Sequence, residues 1–441
     1  MSIDERARNY TFGEFSLNLD SSFDSFQLPE AVNLSKQDIS AAAIAHNATI
    51  VYYSIVSETE VFIRVISPEA GENAIQFRRA DLSTDASALG LSFPQNTPRS
   101  LSSFIDRGRQ STALAQLVRG TRSSFGIDDA TAAGMAFSER DQQAYLQGLH
   151  KLLISPIADL LVDIPNDRVV FIPEGPLALV PFPALLNQDS ERYLVEDFTI
   201  STASRLWTFI DSANSHNSTS SSGISQAALS PEEVLIVGDP VMPSVSFSPT
   251  TPPTQLQAQE GSREEATDIA ALFNTPPVVS VDATESAIKQ RLSNSRVIHL
   301  ATHGLLESIE TGDLPIPGAV ALAPSQNDDG LLTSFEIMDM TLNADLVVLS
   351  ACETALGSRI GGSVFGLPFA LNSAGADSVV VSLWSIPDAP TSLLMQTFYR
   401  KLISDDAQLT ASKAEALRNA MIVVMQDHPD PRNWAAFTLI E

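Results

Sequence analysis

The length, composition and charge of this chain are those of a globular protein with room for two lobes. Of its 441 residues, 44% are hydrophobic and 18% are charged, an ordinary balance for a chain that buries a core. The net charge of −27 argues against nucleic acid as a partner, because phosphate binding needs clustered Lys and Arg.

The single cysteine and the N-terminal sequence indicate the cellular compartment of the protein. One thiol excludes an intrachain disulfide framework and suits a reducing environment, so we expect a cytoplasmic protein. No signal-peptide core and no stretch of about 18 apolar residues is present, so a membrane is not an expected partner either.

The first half of the chain predicts a tail followed by an α/β lobe. Residues 1–35 keep no helical or alternating period and are interpreted as a leader or partner-docking tail. In residues 36–225, runs rich in β-branched and aromatic side chains predict a meander of strands, and three-to-four spacing of leucines predicts helices over about 100–121 and 138–161 that pack on it. Residues 211–230 are rich in Ser, Asn and Gly and mark the boundary of the lobe.

The second half, residues 230–441, alternates strands and helices, which predicts a mainly parallel sheet. The predicted strands include 278–281, 296–302, 318–322, 345–350 and 377–384. Helices are predicted over about 258–273, 284–293, 333–340, 364–374, 389–404 and 410–426.

Two of these strands end on residues that can form a catalytic pair. The run Val297-Ile-His-Leu-Ala-Thr-His-Gly closes on His303, and Asp345-Leu-Val-Val-Leu-Ser-Ala-Cys-Glu-Thr carries Cys352, the only cysteine. A nucleophilic thiol needs a base, and the carboxyl ends of parallel strands meet at one edge of a sheet. Their separation of about 50 residues is typical of caspase-type proteases.

Several ordered motifs resemble one known family. They are the two runs above, Asp329-Gly-Leu-Leu-Thr-Ser-Phe-Glu-Ile, Ala374-Gly-Ala-Asp-Ser-Val-Val-Val-Ser-Leu-Trp-Ser-Ile-Pro-Asp and Asn433-Trp-Ala-Ala-Phe. Together they are similar to the CHAT domain family, peptidases of the caspase and separase clan. The resemblance covers about residues 35–441 and implies a caspase-like catalytic lobe over 230–441, with a non-catalytic, pseudo-caspase-like lobe before it.

The resemblance also implies roles. His303 is the expected general base or proton shuttle, Cys352 the nucleophile, and the backbone N–H groups of Gly304 and Cys352 the oxyanion donors. A buried core cysteine is the competing interpretation. After the Cys-Glu-Thr motif the sequence departs from the family pattern, because Gly361-Gly-Ser363 replaces its Gly-Glu-Gly turn.

Three residues are candidates for the substrate pocket. Asp388, in a stretch that lies by the pocket in separase-like relatives, and Asp239, after the first strand of the sheet, are carboxylates that would pair with Arg or Lys of a substrate. Either could instead cap a helix or a turn. Trp384 is expected either to wall this pocket or to lie in the core.

The other histidine of the motif, His299, is expected to be structural. No pair of His or Cys residues has zinc spacing, so neither a metal nor another cofactor is expected.

The sequence therefore favours a cysteine endopeptidase that cleaves a protein substrate at a basic or extended segment, under the control of a regulatory protein partner. Two other classes stay open. One is a regulatory or interaction scaffold that keeps the fold without proteolysis. The other is a thiol acyltransferase or small-ester hydrolase with the same Cys and His chemistry.

Overall fold

The computed structural model describes most of the chain between residues 36 and 441. The described residues are 36–57, 60–68, 74–81, 113–127, 138–162, 164, 167–204, 206, 209–210, 224–225, 229–246, 252–305, 309–310, 315–316, 318–350, 358–360, 363–404 and 411–441. The tail at 1–35, most of the boundary at 211–230, and Cys352 with its flanking residues lie outside this set.

The α-helices and strands are numbered here in chain order. The α-helices are α1 (Lys36–His46), α2 (Ala113–Ser124), α3 (Glu139–Leu153), α4 (Leu194–Asp197), α5 (Glu260–Leu272), α6 (Glu285–Leu292), α7 (Ser334–Met338), α8 (Leu367–Ala374), α9 (Asp388–Leu402) and α10 (Lys413–Asp427). The strands are β1 (Thr49–Ile55), β2 (Glu60–Ile66), β3 (Ile75–Asp81), β4 (Arg168–Ile172), β5 (Thr199–Thr202), β6 (Ile224–Ser225), β7 (Val234–Pro240), β8 (Ser244–Val245), β9 (Thr254–Gln255), β10 (Val278–Ser280), β11 (Val297–Ala301), β12 (Gly304–Leu305), β13 (Ile309–Glu310), β14 (Pro315–Ile316), β15 (Ala319–Ala321), β16 (Leu331–Thr333), β17 (Leu346–Leu349), β18 (Ser358–Ile360), β19 (Ser363–Phe365), β20 (Val379–Ser382), β21 (Ile403–Ser404) and β22 (Phe437–Ile440).

Within the described residues, eleven strands form one continuous sheet in the order β10-β7-β11-β17-β20-β22-β5-β4-β1-β2-β3. Strands β10, β7, β11, β17 and β20 are parallel to one another. Strand β22 is antiparallel to β20, and β5, β4 and β1 follow the direction of β22. Strands β2 and β3 complete an antiparallel hairpin edge. The predicted fold class, a mainly parallel sheet with flanking helices, is confirmed.

Side chains that alternate along the strands fill a core on each face of the second half of the sheet. On β7, Val234 and Ile236 pack toward α5, α9 and α10, whereas Leu235 and Val237 pack toward α6 and α8. Because both faces are covered, the strands are apolar throughout rather than alternately polar, which is typical of a parallel sheet with crossover helices.

The first half of the sheet is covered in the same way. Helices α2 and α3 pack on one face, where Leu117 and Leu149 meet Val51 and Phe171. A capping box fixes the start of α3, since Asp141 N–H donates to Ser138 Oγ and the Asp141 carboxylate accepts from Ser138 N–H. The predicted packing of helices on the meander is therefore observed.

The two halves share a sheet and a core. Strand β22 joins β20 of the second half to β5 of the first. Phe125, which follows α2, stacks on Trp384 with ring centroids 4.9 Å apart, and the buried Arg122 donates to Leu383 O at 2.9 Å.

Two local predictions need correction, and two strands of the large sheet were missed. The strand predicted at 318–322 is β15, which pairs antiparallel with β12 and β16 in a separate small sheet. The helix predicted over 138–161 ends at Leu153, where Ser155–Leu160 continues as a 3-10 turn with a proline near its start. Strands β5 and β22 were not predicted at all, because four-residue strands carry too short a pattern.

Candidate functional site

The two predicted catalytic residues follow β11 and β17 in the sequence, and these two strands are neighbours in the sheet. Their parallel register pairs His299 with Val348 and Leu300 with Leu349. Continued by one residue, it aligns Ala301 with Ser350, so His303 and Cys352 each follow the aligned positions by two residues. Neighbouring strands lie about 4.8 Å apart, so β11 and β17 end side by side at one edge of the sheet. Cys352 itself lies outside the described residues.

Both ring nitrogens of the half-buried His303 make hydrogen bonds. Nε2 lies 2.8 Å from the backbone carbonyl oxygen of Gln257, and Nδ1 lies 3.1 Å from the side-chain amide nitrogen of Gln259. A carbonyl oxygen only accepts, so Nε2 carries the proton and Nδ1 accepts from the amide. The ring is thereby held in one tautomer and one orientation.

A short chain of hydrogen bonds holds the segment that contacts His303. Ser262 Oγ donates to Gln259 O at 2.7 Å and accepts from Asp239 N–H at 3.0 Å. The first turn of α5 lies against β7 because Gly238 has no side chain: a Cβ there would stand 2.5 Å from Ser262 O. Strand β7, helix α5 and His303 therefore form one connected unit.

The backbone of Gly304 is placed to donate a hydrogen bond away from its ladder. Strand β12 pairs Gly304 with Val320, and Ala321 N–H donates to His303 O at 2.9 Å. In an antiparallel ladder this pattern makes Gly304 a non-hydrogen-bonded position, so its N–H does not bond to Val320. The N–H of Gly304 therefore points away from β15.

The two candidate pocket carboxylates differ in their partners. Asp239 has φ of 44°, and its carboxylate is paired with Arg263 Nε at 2.8 Å. The exposed Asp388 begins α9, with its carboxylate against Gly261 in the first turn of α5. Among the described residues no basic side chain pairs with Asp388. Its negative charge suits the N-terminal end of α5, where backbone N–H groups are unsatisfied.

Trp384 lies in the core rather than at the surface of a pocket. Its side chain is 0% exposed, and Nε1 donates to Arg432 O at 2.9 Å. Of the two alternatives that the sequence left open, the described packing therefore fits the core aromatic, and the structure does not bring Trp384 to an open site.

His299 is also a core residue. Its Nδ1 lies 3.2 Å from the Tyr399 hydroxyl, and its Nε2 lies 3.2 Å from Glu265 Oε1 at an angle too poor for a hydrogen bond. Burial, assisted by the Glu265 carboxylate, raises the pKa of Tyr399 well above its usual range, so the phenol stays protonated beside the imidazole. This agrees with the structural role preferred for His299.

Sequence reasoning missed the residues that hold His303. Gln257, Gln259 and Ser262 lie just before or within the predicted helix 258–273, but glutamine and serine there carry no pattern that points to a histidine 44 residues away. In the part of the chain that the structure describes, no group of three or more His, Cys, Asp or Glu residues could hold a metal ion. Nor is any helix of that part long and apolar enough to cross a membrane.

The fold is that of an α/β protein in which a histidine follows a strand at the carboxyl edge of a parallel sheet. The model of the CHAT domain family matches residues 143–441, more than half of the chain. The chain belongs to the CHAT domain family, as its motifs predicted.

Curated relatives share this region but are much longer. Tetratricopeptide repeat protein 28 of Mus musculus is 27% identical over 333 residues, and that of Homo sapiens is 26% identical over 333 residues. Each alignment covers 67% of this chain and 13% of the relative. The chain thus spans about an eighth of the length of the curated relatives that it matches.

Solved structures with a similar arrangement were also found. The separase of the Saccharomyces cerevisiae separase–securin complex has a TM-score of 0.49 and 11% identity, covering 91% of this chain and 31% of that chain. The Arg-specific cysteine proteinase gingipain R has a TM-score of 0.37 and 10% identity, covering 74% of this chain and 73% of that chain.

Proposed function

We propose that this protein is a caspase-like cysteine endopeptidase in which Cys352 is the nucleophile and His303 is the base. The observation that supports the proposal is the register of β11 and β17, which are parallel neighbours and pair Leu300 with Leu349, three residues before His303 and Cys352 in the sequence. Membership of the CHAT domain family supports it, because the region that matches the family, residues 143–441, includes both residues.

The proposed chemistry is acyl transfer to the thiol. His303 takes the thiol proton, the sulfur attacks the substrate carbonyl, and the carbonyl π electrons move to oxygen. The imidazolium then gives the proton to the amide nitrogen as the C–N bond breaks, and water hydrolyses the resulting thioester. Nδ1 is the nitrogen that takes part, since Nε2 is bound to Gln257 O.

Backbone N–H groups supply the proposed oxyanion hole. Gly304 directly follows His303, and the ladder of β12 with β15 leaves its N–H without a strand partner. Together with the N–H of Cys352 it would stabilise the negative oxygen of the tetrahedral intermediate, which is often the largest electrostatic contribution to such catalysis.

We further propose that the substrate carries a basic residue before the cut. Asp388 offers an exposed carboxylate without a basic partner among the described residues, whereas the Asp239 carboxylate is occupied by Arg263. Asp388 lies against the first turn of α5, the helix preceded by Gln259, which contacts His303. The pocket carboxylate and the catalytic histidine therefore flank one helix end.

The proposal also assigns a role to each half of the chain, a location and partners. Residues 36–225 form the proposed non-catalytic lobe and residues 230–441 the catalytic lobe, acting in the cytoplasm on a protein substrate under a protein regulator. The alternative, a scaffold without proteolysis, draws on the curated relatives, which are named for tetratricopeptide repeats.

A panel of fluorogenic peptides with Arg, Lys, Asp or Leu before the cut tests the proposed reaction. We expect turnover of the Arg and Lys peptides by the wild-type protein and none by Cys352→Ala. If an ester reporter is hydrolysed and none of the peptides is, the result would favour a thiol acyltransferase or small-ester hydrolase. Binding of a partner protein without peptide turnover in any sample would favour the scaffold.

Asp388→Asn should remove the preference for basic residues while turnover of the Leu peptide persists. The change keeps the shape of the side chain and removes the charge that would pair with Arg or Lys, and a charge-assisted hydrogen bond of about 1.5–3 kcal/mol corresponds to about 10- to 150-fold in the ratio of kcat/KM values. Asp239→Asn is the matched control, because asparagine also tolerates a positive φ. If Asp239→Asn alone removes the preference, the pocket belongs to Asp239.

A further inference from the structure

Gln259 makes an unusual contact for a residue at a helix start. It is the N-cap of α5, yet its side chain makes no capping hydrogen bond. The amide instead reaches His303 Nδ1 at 3.1 Å, while the backbone of Gln259 is held by Ser262 Oγ at 2.7 Å. The side chain therefore forms a hydrogen bond with the histidine and does not cap the helix.

This contact occupies the only free lone pair of the imidazole. Nε2 holds its proton against Gln257 O, so a proton can be accepted only at Nδ1. An amide N–H that donates to Nδ1 stabilises only the neutral form of the ring. This N–H must leave Nδ1 before the ring can take a proton from the thiol. The contact thus opposes formation of the thiolate–imidazolium pair.

We propose that Gln259 is a positioning residue that holds Nδ1 of His303 in the resting protein and releases it when a peptide substrate binds. The proposal rests on the proposed function, since it assigns the resting state of the same dyad. The substrate class that releases Nδ1 is a peptide lying along the edge of the sheet between Asp388 and Gly304. The main chain of such a peptide offers carbonyl oxygens that can take the amide N–H of Gln259 from the ring.

The Gln259→Met variant tests this inference, because methionine is close in size and has no N–H to donate. The rate of alkylation of Cys352 by iodoacetamide, measured without substrate, should rise about 2- to 12-fold, the range that one neutral hydrogen bond is worth. For the peptide reporter, kcat/KM should rise by a similar factor with kcat unchanged, since kcat refers to a complex in which Gln259 has already moved. In a His303→Ala background the substitution should change neither rate.

Gln255→Met is the matched control on the same segment. Gln255 is exposed, and its side-chain amide donates a weak hydrogen bond to Met242 O, at 3.4 Å. We expect wild-type alkylation and kcat/KM from this variant. A fall in kcat for Gln259→Met would show that the amide supports the ring throughout turnover, and unchanged alkylation would show that it does not hold Nδ1; either result overturns the inference.

The two proposals fail in different ways. If no variant hydrolyses a peptide, the proposed function is wrong, but the alkylation rates still measure whether Gln259 restrains the dyad. If peptides are cleaved and Gln259→Met behaves as the wild type, only the assignment of Gln259 is lost.

Discussion

Cys352→Ala should abolish peptide hydrolysis, and His303→Ala should lower kcat by about 10²- to 10⁴-fold, the usual contribution of a positioned general acid or base. The cysteine forms the covalent intermediate, so alanine leaves no path for acyl transfer. The histidine variant keeps the thiol, so residual turnover is expected from attack by the cysteine without a base. Initial rates with the Arg peptide measure both effects.

The double variant sharpens this prediction. Because the two residues act in the same step, Cys352→Ala with His303→Ala should be no slower than Cys352→Ala alone. His428→Ala is a suitable control, since His428 ends α10 and not β11, and it should keep wild-type rates. Wild-type turnover by His303→Ala would remove the histidine from the proposed mechanism.

Arg168→Met should produce the largest loss of stability of the substitutions considered. The side chains of Arg168 and Glu441 are 8% and 9% exposed, and the guanidinium lies 2.8 Å from the carboxylate. Arg168 also donates to His46 O at 2.9 Å. Removing one member of a buried pair leaves an uncompensated charge and costs about 3–5 kcal/mol, a large part of a total stability of about 5–15 kcal/mol. Urea unfolding measures the difference.

Arg78→Met provides the matched control. Arg78 and Asp159 also lie 2.8 Å apart, but their side chains are 33% and 65% exposed. Water screens such a pair, so its loss should change the free energy of unfolding by about 0–1 kcal/mol. Equal losses from the two variants would contradict the importance that we assign to burial of Arg168.

The contribution of Glu441 to the pH dependence of stability should have opposite signs in the wild type and in Arg168→Met. Burial raises the pKa of Glu441, but the charges of Arg168 and His46 outweigh it and lower the pKa below the ordinary carboxyl value. A lowered folded pKa gives stability that is present above the unfolded value of about 4.3 and is lost as the pH falls through the folded value. In Arg168→Met the guanidinium no longer opposes burial, the largest influence on this pKa, so the folded pKa should be raised and the contribution of Glu441 to stability should instead increase as the pH falls from 7 toward about 5.

The alternation of strands and helices could be predicted because each element carries its own pattern. The helix predicted over 258–273 is α5 at Glu260–Leu272, and the strand predicted over 296–302 is β11 at Val297–Ala301. Their apolar residues face a core on both sides of the sheet, and the spacing of apolar residues along the sequence reports this burial directly. The motif around His303 that the chain shares with its family could also be recognised, because strand ends and turn glycines are local features.

Contacts between distant segments could not be predicted in this way. The bond between Gln259 and His303 depends on how α5 sits on β7, which in turn depends on the close approach at Gly238. Likewise, the burial of Trp384 depends on Phe125 from the other half of the chain. Such contacts arise from tertiary packing, which no periodicity within one segment reports.

The position of β22 also dictates when the fold can be completed during biosynthesis. Phe437–Ile440 follows every other described strand in sequence but lies between β20 and β5 in the middle of the sheet. During synthesis the strands of both half-sheets are therefore made before the strand that joins them. Until then each half-sheet has an open inner edge. Unpaired edges of this kind are prone to mispairing between chains, so the newly made protein has a period of vulnerability to aggregation that ends only when β22 inserts.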